Sequence, residues 1–351
     1  MKGFMRNSIP ILLLLILIVS FHVLPSNAQQ VNTSKTVLHK GEIEFKDLPK
    51  EVQERIKKTP SYGPENTDAL KNIDMKKIKE LPKHSSIGSD GSIVTDLPKP
   101  KVSEKNGFLG SDNEKMDTKN LLNSLVPNNL EITHHTTYPY NAVARLLVEK
   151  TPGNYNWCSG FYIDRNTIIT AAHCVYNTTT NTPAVNIEYE RSPGPTGNPL
   201  YEFGATKKFW INSGYVDLPN ENGNISDSKY DFAAVQVGKD SANWFGIRNS
   251  NHQPGEQILL TGYPSGGEYD ASIQYKSLGV ISSIENYNGI LQTTGYMHDG
   301  MSGGPSWNTK VGTTAVIGIN SASLSDYSYS FSTRIEGSTY DRIIYWRDLP
   351  D

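Results

Sequence analysis

The chain opens on an apolar stretch and then changes texture twice. Ile11 to Phe21 is nearly all aliphatic, with Lys2 and Arg6 before it and His22 and Pro25 closing it. A membrane-spanning helix needs about 20 apolar residues, and this run falls short of that. A basic start, an apolar middle and the small-residue string Ser26-Asn27-Ala28 predict a secretory signal peptide over residues 1–28, in preference to a membrane anchor. From about residue 30 to 120, Lys, Glu, Asp, Asn, Ser and Pro dominate and aromatics are scarce. Glu51 to Lys58 and Asp68 to Leu81 suit short polar helices with little apolar face, so no independent core is expected there. From Tyr138 onward, short runs rich in Val, Ile, Tyr, Phe and Thr alternate with Gly, Asn, Pro and Ser clusters. Examples are Ala142 to Val148, Ser159 to Ile163, Thr167 to Thr170, Phe232 to Val237, Ile258 to Gly262, Tyr275 to Ser282 and Ala315 to Ile319. Many short strands at this spacing predict an all-β sandwich or barrel. Only Ser338 to Trp346 reads as helical, with Ile343, Ile344 and Trp346 available for packing.

These textures divide the chain into a signal peptide (1–28), a polar region (29–123, its end lying between 106 and 123) and a β domain (124–351). In an exported protein the middle region reads as a propeptide; the plainer alternatives are a disordered linker or a surface-anchoring spacer. With 351 residues the chain suits one large domain plus extras. A formal charge of -3 gives no argument for nucleic acid or a membrane surface as partner. Cys158 and Cys174 are the only cysteines, which excludes a thiolate metal cage and leaves room for one disulfide, chemically permitted by export. Neither a metal nor a cofactor is expected.

Chemistry concentrates at three places. Thr170-Ala171-Ala172-His173-Cys174 follows the apolar run Thr167 to Ile169 and begins a turn. A lone histidine at a strand end is more often structural than catalytic. In Gly300-Met301-Ser302-Gly303-Gly304-Pro305, glycines on both sides let the backbone turn tightly and present the Ser302 hydroxyl. They also leave the N–H groups of Gly300 and Ser302 able to face a developing oxyanion. Asp231 leads straight into the apolar run Phe232 to Val235, where a carboxylate needs a partner such as a histidine Nδ1–H. Asp217, Asp227 and Asp240 lead into no comparable run. The order His173, Asp231, Ser302 is the chymotrypsin-type order and differs from the subtilisin and α/β-hydrolase orders.

The histidine and serine motifs resemble those of chymotrypsin-fold serine proteases. From about Leu125 the chain is similar to bacterial glutamyl endopeptidases, through Thr136 to Tyr140, Cys158 to Phe161, the histidine motif, Tyr230-Asp231, Thr261 to Pro264 and Gly300 to Pro305. This resemblance implies two perpendicular six-stranded β-barrels with the triad in the cleft between them and a C-terminal helix. It also implies a Cys158–Cys174 disulfide pinning the histidine loop, and a substrate pocket involving Met297, Asn320, Ser321 and Ser323. It further implies a secreted, monomeric, cofactor-free endopeptidase acting on proteins or peptides and matured from a zymogen. Two stretches resemble mature starts, Phe108 to Asp112 and Leu125 to Asn129. The resemblance breaks at the pocket. Glutamyl endopeptidases carry a histidine where this chain has Asn320, and Ser or Thr where it has Met297, so the partners for a substrate carboxylate are weakened. A strictly Glu-specific endopeptidase, a non-enzymatic binding module on a protease fold and an esterase are the competing readings. The module usually loses a triad residue, and the esterase elbow requires an α/β pattern.

Overall fold

β-Branched and aromatic residues build the strands, and short Gly-, Asn- and Ser-containing turns separate them. The computed structural model describes residues 42–63, 68–96, 129–193, 201–219, 224–249, 252–284, 288–308 and 314–350, with the two-residue strands Thr36–Val37 and Phe108–Leu109. The signal-peptide reading and most of both candidate mature starts lie outside these residues.

The first barrel uses β1 (Val143–Thr151), β2 (Asn154–Tyr162), β3 (Thr167–Thr170), β4 (Asn186–Arg191), β5 (Phe203–Thr206), β6 (Phe209–Asn212) and β7 (Ala233–Gln236). The ladder runs β5-β4-β1-β2-β3-β7-β6 and is not closed by pairing of β5 with β6. Only Lys207 and Lys208 separate those two, so they act as halves of one bent strand, pairing with β4 on one half and β7 on the other. Thr206 Oγ1 donates to Gln236 O (2.8 Å), and the Gln236 N–H donates to Lys208 O (3.0 Å), which stitches the bend to β7. The second barrel uses β8 (Gln257–Gly262), β9 (Tyr275–Ser283), β10 (Ile290–Thr293), β11 (Pro305–Asn308), β12 (Ala315–Leu324) and β13 (Ser330–Arg334). Its ladder β11-β8-β9-β10-β13-β12 closes through β11 on β12. Leu146, Val148, Tyr162, Ile168 and Val235 fill the first barrel; Ile258, Leu260, Ile281, Leu291 and Ile317 fill the second. The C-terminal helix Ser338–Arg347 buries Ile343, Ile344 and Trp346, as its sequence predicts.

The polar region makes no core of its own, yet it is not detached. Ile43–Glu44 pairs with β2, Ser61–Tyr62 runs parallel to β5, and Ser86–Gly88 pairs with β6. The helix Lys50–Lys58 buries Val52, the helix Met75–Lys79 buries Ile78, and Ile87 is fully buried in the first-barrel cluster. A single well-placed apolar side chain per turn is enough to dock these helices because the barrel supplies the rest of the core. Trp346 Nε1 donates to Ser86 Oγ (2.6 Å), which ties the region to the C-terminal helix.

Arg55 on the Lys50–Lys58 helix reaches two buried carboxylates of β4, with Nε 3.5 Å from Glu188 and Nη2 on Glu190. Arg145 of β1 takes the other Glu190 oxygen at 2.6 Å. Burial pushes the Glu188 pKa up to about 7, opposed by Arg55 and reinforced by neighbouring Glu190. A folded-state value above the unfolded one means that folding holds a proton which the unfolded chain releases, so this group's contribution declines as pH rises from about 4.5 to 7. Glu188→Gln is therefore expected to raise the unfolding midpoint above pH 7, with the gain vanishing below pH 4.5. Thermal melts of both proteins across that range provide the check; an unchanged or lowered midpoint at pH 8 would contradict the assignment.

Candidate active site

β3 delivers Thr170 to a sharp turn, and the single helical turn Ala172–Val175 carries His173 directly after it. The Cys158–Cys174 disulfide forms, joining that turn to β2. Cys158, His173 and Cys174 gather closely, but sulfurs bonded to each other are not thiolates and offer no metal cage. Lys150 Nζ donates to the His173 carbonyl, holding the turn from the other side.

Asp231 follows the short helix Ile225–Tyr230 and enters β7 almost fully buried, at 2% exposure. The His173 N–H donates to its Oδ1 (2.8 Å), and His173 Nδ1 lies 2.7 Å from its Oδ2. Ser321 Oγ on β12 also donates to Oδ2, at 2.6 Å. Burial works to raise the Asp231 pKa, but the His173 charge and these hydrogen bonds outweigh it and hold the carboxyl below its usual value. The imidazole thus has Nδ1 committed to Asp231, so that proton transfer would run through Nε2.

Ser302 sits between β10 and β11 in a turn where the Met301 N–H donates to His298 O and the Gly304 N–H to Met301 O. Gly300 has φ +82°, where a Cβ would also fall 2.4 Å from Tyr263 O. Gly303, also at φ +82°, would place a Cβ 2.1 Å from Thr170 Oγ1 and 2.7 Å from Ala171 N. The serine turn therefore packs its backbone directly on the residues that lead into His173. The Ser159 N–H donates to Ser302 O (2.8 Å), and Ser159 Oγ donates to Gly300 O (2.8 Å), fixing the turn against β2. Ser302 Oγ is buried and makes no hydrogen bond. The N–H groups of Gly300 and Ser302 donate to no group among the described residues, so both remain available to an oxyanion.

The four pocket candidates separate. Met297 is fully enclosed in the second-barrel cluster with Ile258, Leu260 and Met301, so its thioether belongs to the core. Asn320 is equally enclosed: Nδ2 donates to Thr261 O (3.1 Å) and Met301 O (3.2 Å), while Oδ1 accepts from Ser306 Oγ (2.7 Å). Its backbone accepts from the Gly303 N–H and donates to Gly304 O, so Asn320 braces the serine turn. Ser321 serves Asp231, as above. Ser323 is buried, and its strand position pairs with Val37. Partly exposed rings bridge the segments on either side instead: Tyr296 lies 4.8 Å from Tyr327, and His298 lies parallel to Tyr327 at 5.9 Å. The signal for Ser321 was its place on a strand beside Asn320, but only the fold reveals Asp231 across from it. Thr333, whose Oγ1 donates to Asp231 O (3.0 Å), left no mark in the sequence.

One half-barrel and one closed β-barrel, with His173 and Asp231 on the first and Ser302 and Ser321 on the second, define a chymotrypsin-type fold. Residues 158–319 match the model of the trypsin-like peptidase domain. The chain is similar to glutamyl endopeptidase of Bacillus licheniformis, at 27% identity over 229 residues, covering 62% of this chain and 66% of that protein. A Bacillus subtilis protein named extracellular metalloprotease is 27% identical over 227 residues, covering 61% of this chain and 66% of that one. The match thus spans 66% of the length of each of these curated relatives. Among solved structures, a Glu endopeptidase in complex with MPD superposes with a TM-score of 0.53 at 19% identity, covering 64% of this chain and 99% of that one. At those identities the likeness speaks for the fold alone.

Ser321→Ala removes one hydrogen bond to a buried, charged carboxylate, a loss of about 1.5–3 kcal/mol. Peptidase kcat is expected to fall roughly tenfold to a hundredfold, and a wild-type rate in the purified variant would show that Ser321 does not support Asp231.

Proposed function

We propose that this protein is a secreted serine endopeptidase that hydrolyses peptide bonds through His173, Asp231 and Ser302 and is made as a zymogen. The observation that carries the reading is the buried Asp231 carboxylate, bonded at once to His173 N–H, His173 Nδ1 and Ser321 Oγ. In this reading Ser302 Oγ attacks the peptide carbonyl while His173 Nε2 takes its proton. The N–H groups of Gly300 and Ser302 stabilise the oxyanion of the tetrahedral intermediate. His173 then protonates the leaving amine, an acyl-enzyme remains on Ser302, and water attacks it by the same route in reverse. Asp231 holds the tautomer and stabilises the imidazolium without being protonated itself. Residues 29–123 act as the propeptide. Thr36–Val37 lies antiparallel on Leu324 and Ser323, the strand that also bears Ser321. An extended substrate adding to that edge would meet the chain's own segment there, which supports a precursor that is held back.

The rival reading, a binding module on the same fold, keeps the shape and loses the chemistry. Wild-type protein is expected to be labelled at Ser302 by an organophosphonate, to cleave casein and, once secreted and active, to begin between residues 107 and 124. Ser302→Ala is expected to keep the fold and retain only the slight activity due to binding and the oxyanion hole. An alanine variant cleaving at the wild-type rate would remove the nucleophile assignment, and active secreted protein starting at Gln29 would remove the zymogen.

Strict preference for Glu before the scissile bond is the second reading, favoured by the name of the Bacillus licheniformis relative. Against it stands Asn320, an uncharged side chain already committed to Thr261 O, Met301 O and Ser306. A charge-assisted hydrogen bond missing from the pocket lowers discrimination by roughly tenfold to a hundredfold. Peptides differing only in Glu, Gln, Leu or Ala at that position are expected to show a Glu-over-Gln ratio in kcat/KM well below a thousandfold. A ratio above that would establish strict specificity and place its determinant outside Asn320.

A further inference from the structure

The C-terminal helix, the Lys229–Tyr230 segment and the end of β13 enclose a cavity of about 320 Å3, at the lower end of the ~300–1,000 Å3 range of small-ligand sites. Its lining includes two cations. Lys229 and Arg334 face it together with His84, and the acid among the lining residues, Glu336, is paired with Arg334 Nη2. Arg342 stands one turn beyond Ser338 on the same helix, outside the lining.

Several nitrogens in and around this lining have no hydrogen-bond partner. Arg342 is 1% exposed, and its Nε and Nη1 have no hydrogen-bond partner. Burial lowers its pKa to about 10, with only the Tyr345 hydroxyl opposing. Arg334 is 9% exposed and its Nε is likewise unpartnered. His84 meets Ser338 Oγ through Nε2 at 3.1 Å, while its Nδ1 is buried without a partner. The Ser338–Arg347 helix, ten residues long, opens on this cavity with Gly337 at its N-cap and no capping side chain. A buried guanidinium without a counter-charge is costly, and an uncapped helix N-terminus favours negative charge.

We propose that this cavity binds a tetrahedral oxyanion, phosphate or sulfate, held by Lys229 and Arg334 at the N-terminus of the C-terminal helix. Such an ion offers an acceptor to the Arg334 Nε left over, and its charge answers that of Lys229. The cavity also shares walls with the segments that seat Asp231, because Thr333 Oγ1 donates to both Ser228 O and Asp231 O and its neighbour Arg334 lines the cavity. The proposal is independent of the peptidase reading, since it is read on the folded chain without turnover.

The test uses the full chain carrying Ser302→Ala, so that cleavage plays no part. Sodium phosphate and sodium sulfate are titrated against the thermal midpoint, with sodium chloride at matched ionic strength as reference. Specific binding gives a saturable rise, whereas general stabilisation by excluded sulfate grows without saturating. Lys229→Gln and, separately, Arg334→Met are expected to weaken the saturable component at least tenfold. Lys229 is partly exposed, so its variant serves even where the buried arginine variant fails to fold. Absence of a saturable rise, or equal binding by Lys229→Gln, would overturn the proposal. An equal saturable response to acetate would overturn the tetrahedral assignment and make the site a carboxylate site.

Discussion

The arrangement of the two barrels turns on one buried carboxylate. Asp231 is charged in a place where charge is expensive, and it stays so because His173 and Ser321 hydrogen-bond to it. Those donors come from different parts of the chain. His173 rides on a turn leaving β3, and Ser321 projects from β12 of the other barrel. Satisfying Asp231 therefore requires both barrels to be formed and correctly apposed. The serine turn follows from the same constraint, since Gly303 packs on Thr170 and Ala171, immediately before the His173 turn, and its N–H donates to the Asn320 carbonyl beside Ser321. A local fault in any of these segments would be felt by all of them.

The polar leading region adds a second layer to this economy of contacts. It supplies strands to β2, β5 and β6, side chains to the barrel cores, and Arg55 to the Glu188–Glu190 pair. Its structure exists only by virtue of the barrel, and it covers buried acids that would otherwise face one another with Arg145 alone between them. The two parts are complementary surfaces of one folded unit.

Much of the site was readable from short strings, because glycines, a histidine and a serine at a chemical centre leave little freedom of residue type. The β class was readable from alternation, and β1, β3, β8 and β9 fall close to their apolar runs. β4 was not, since Asn186–Arg191 carries Glu188, Glu190 and Arg191 in buried positions where only ion pairs across strands and helices make them tolerable. Docking of the leading helices was hidden for a similar reason: Val52 and Ile78 look isolated in sequence and find their neighbours only in the barrel. The pocket was least legible. Asn320 and Met297 lie in line with the right strand and turn, yet both side chains point into the second barrel's packing, and position along a chain does not say which way a side chain faces.

The close packing of the serine turn also governs where this molecule can change. With Thr170 and Ala171 against Gly303, and Tyr263 against Gly300, neither position has room for even a methyl group, so neither offers a side chain through which the turn's chemistry could be adjusted. Variation compatible with a working turn must enter from the periphery. The partly exposed rings of Tyr269, Tyr296, His298 and Tyr327 stand there in mutual contact. The molecule thus separates a crowded centre from a rim that mutation can reshape, and divergence among descendants of this chain would be written in that rim.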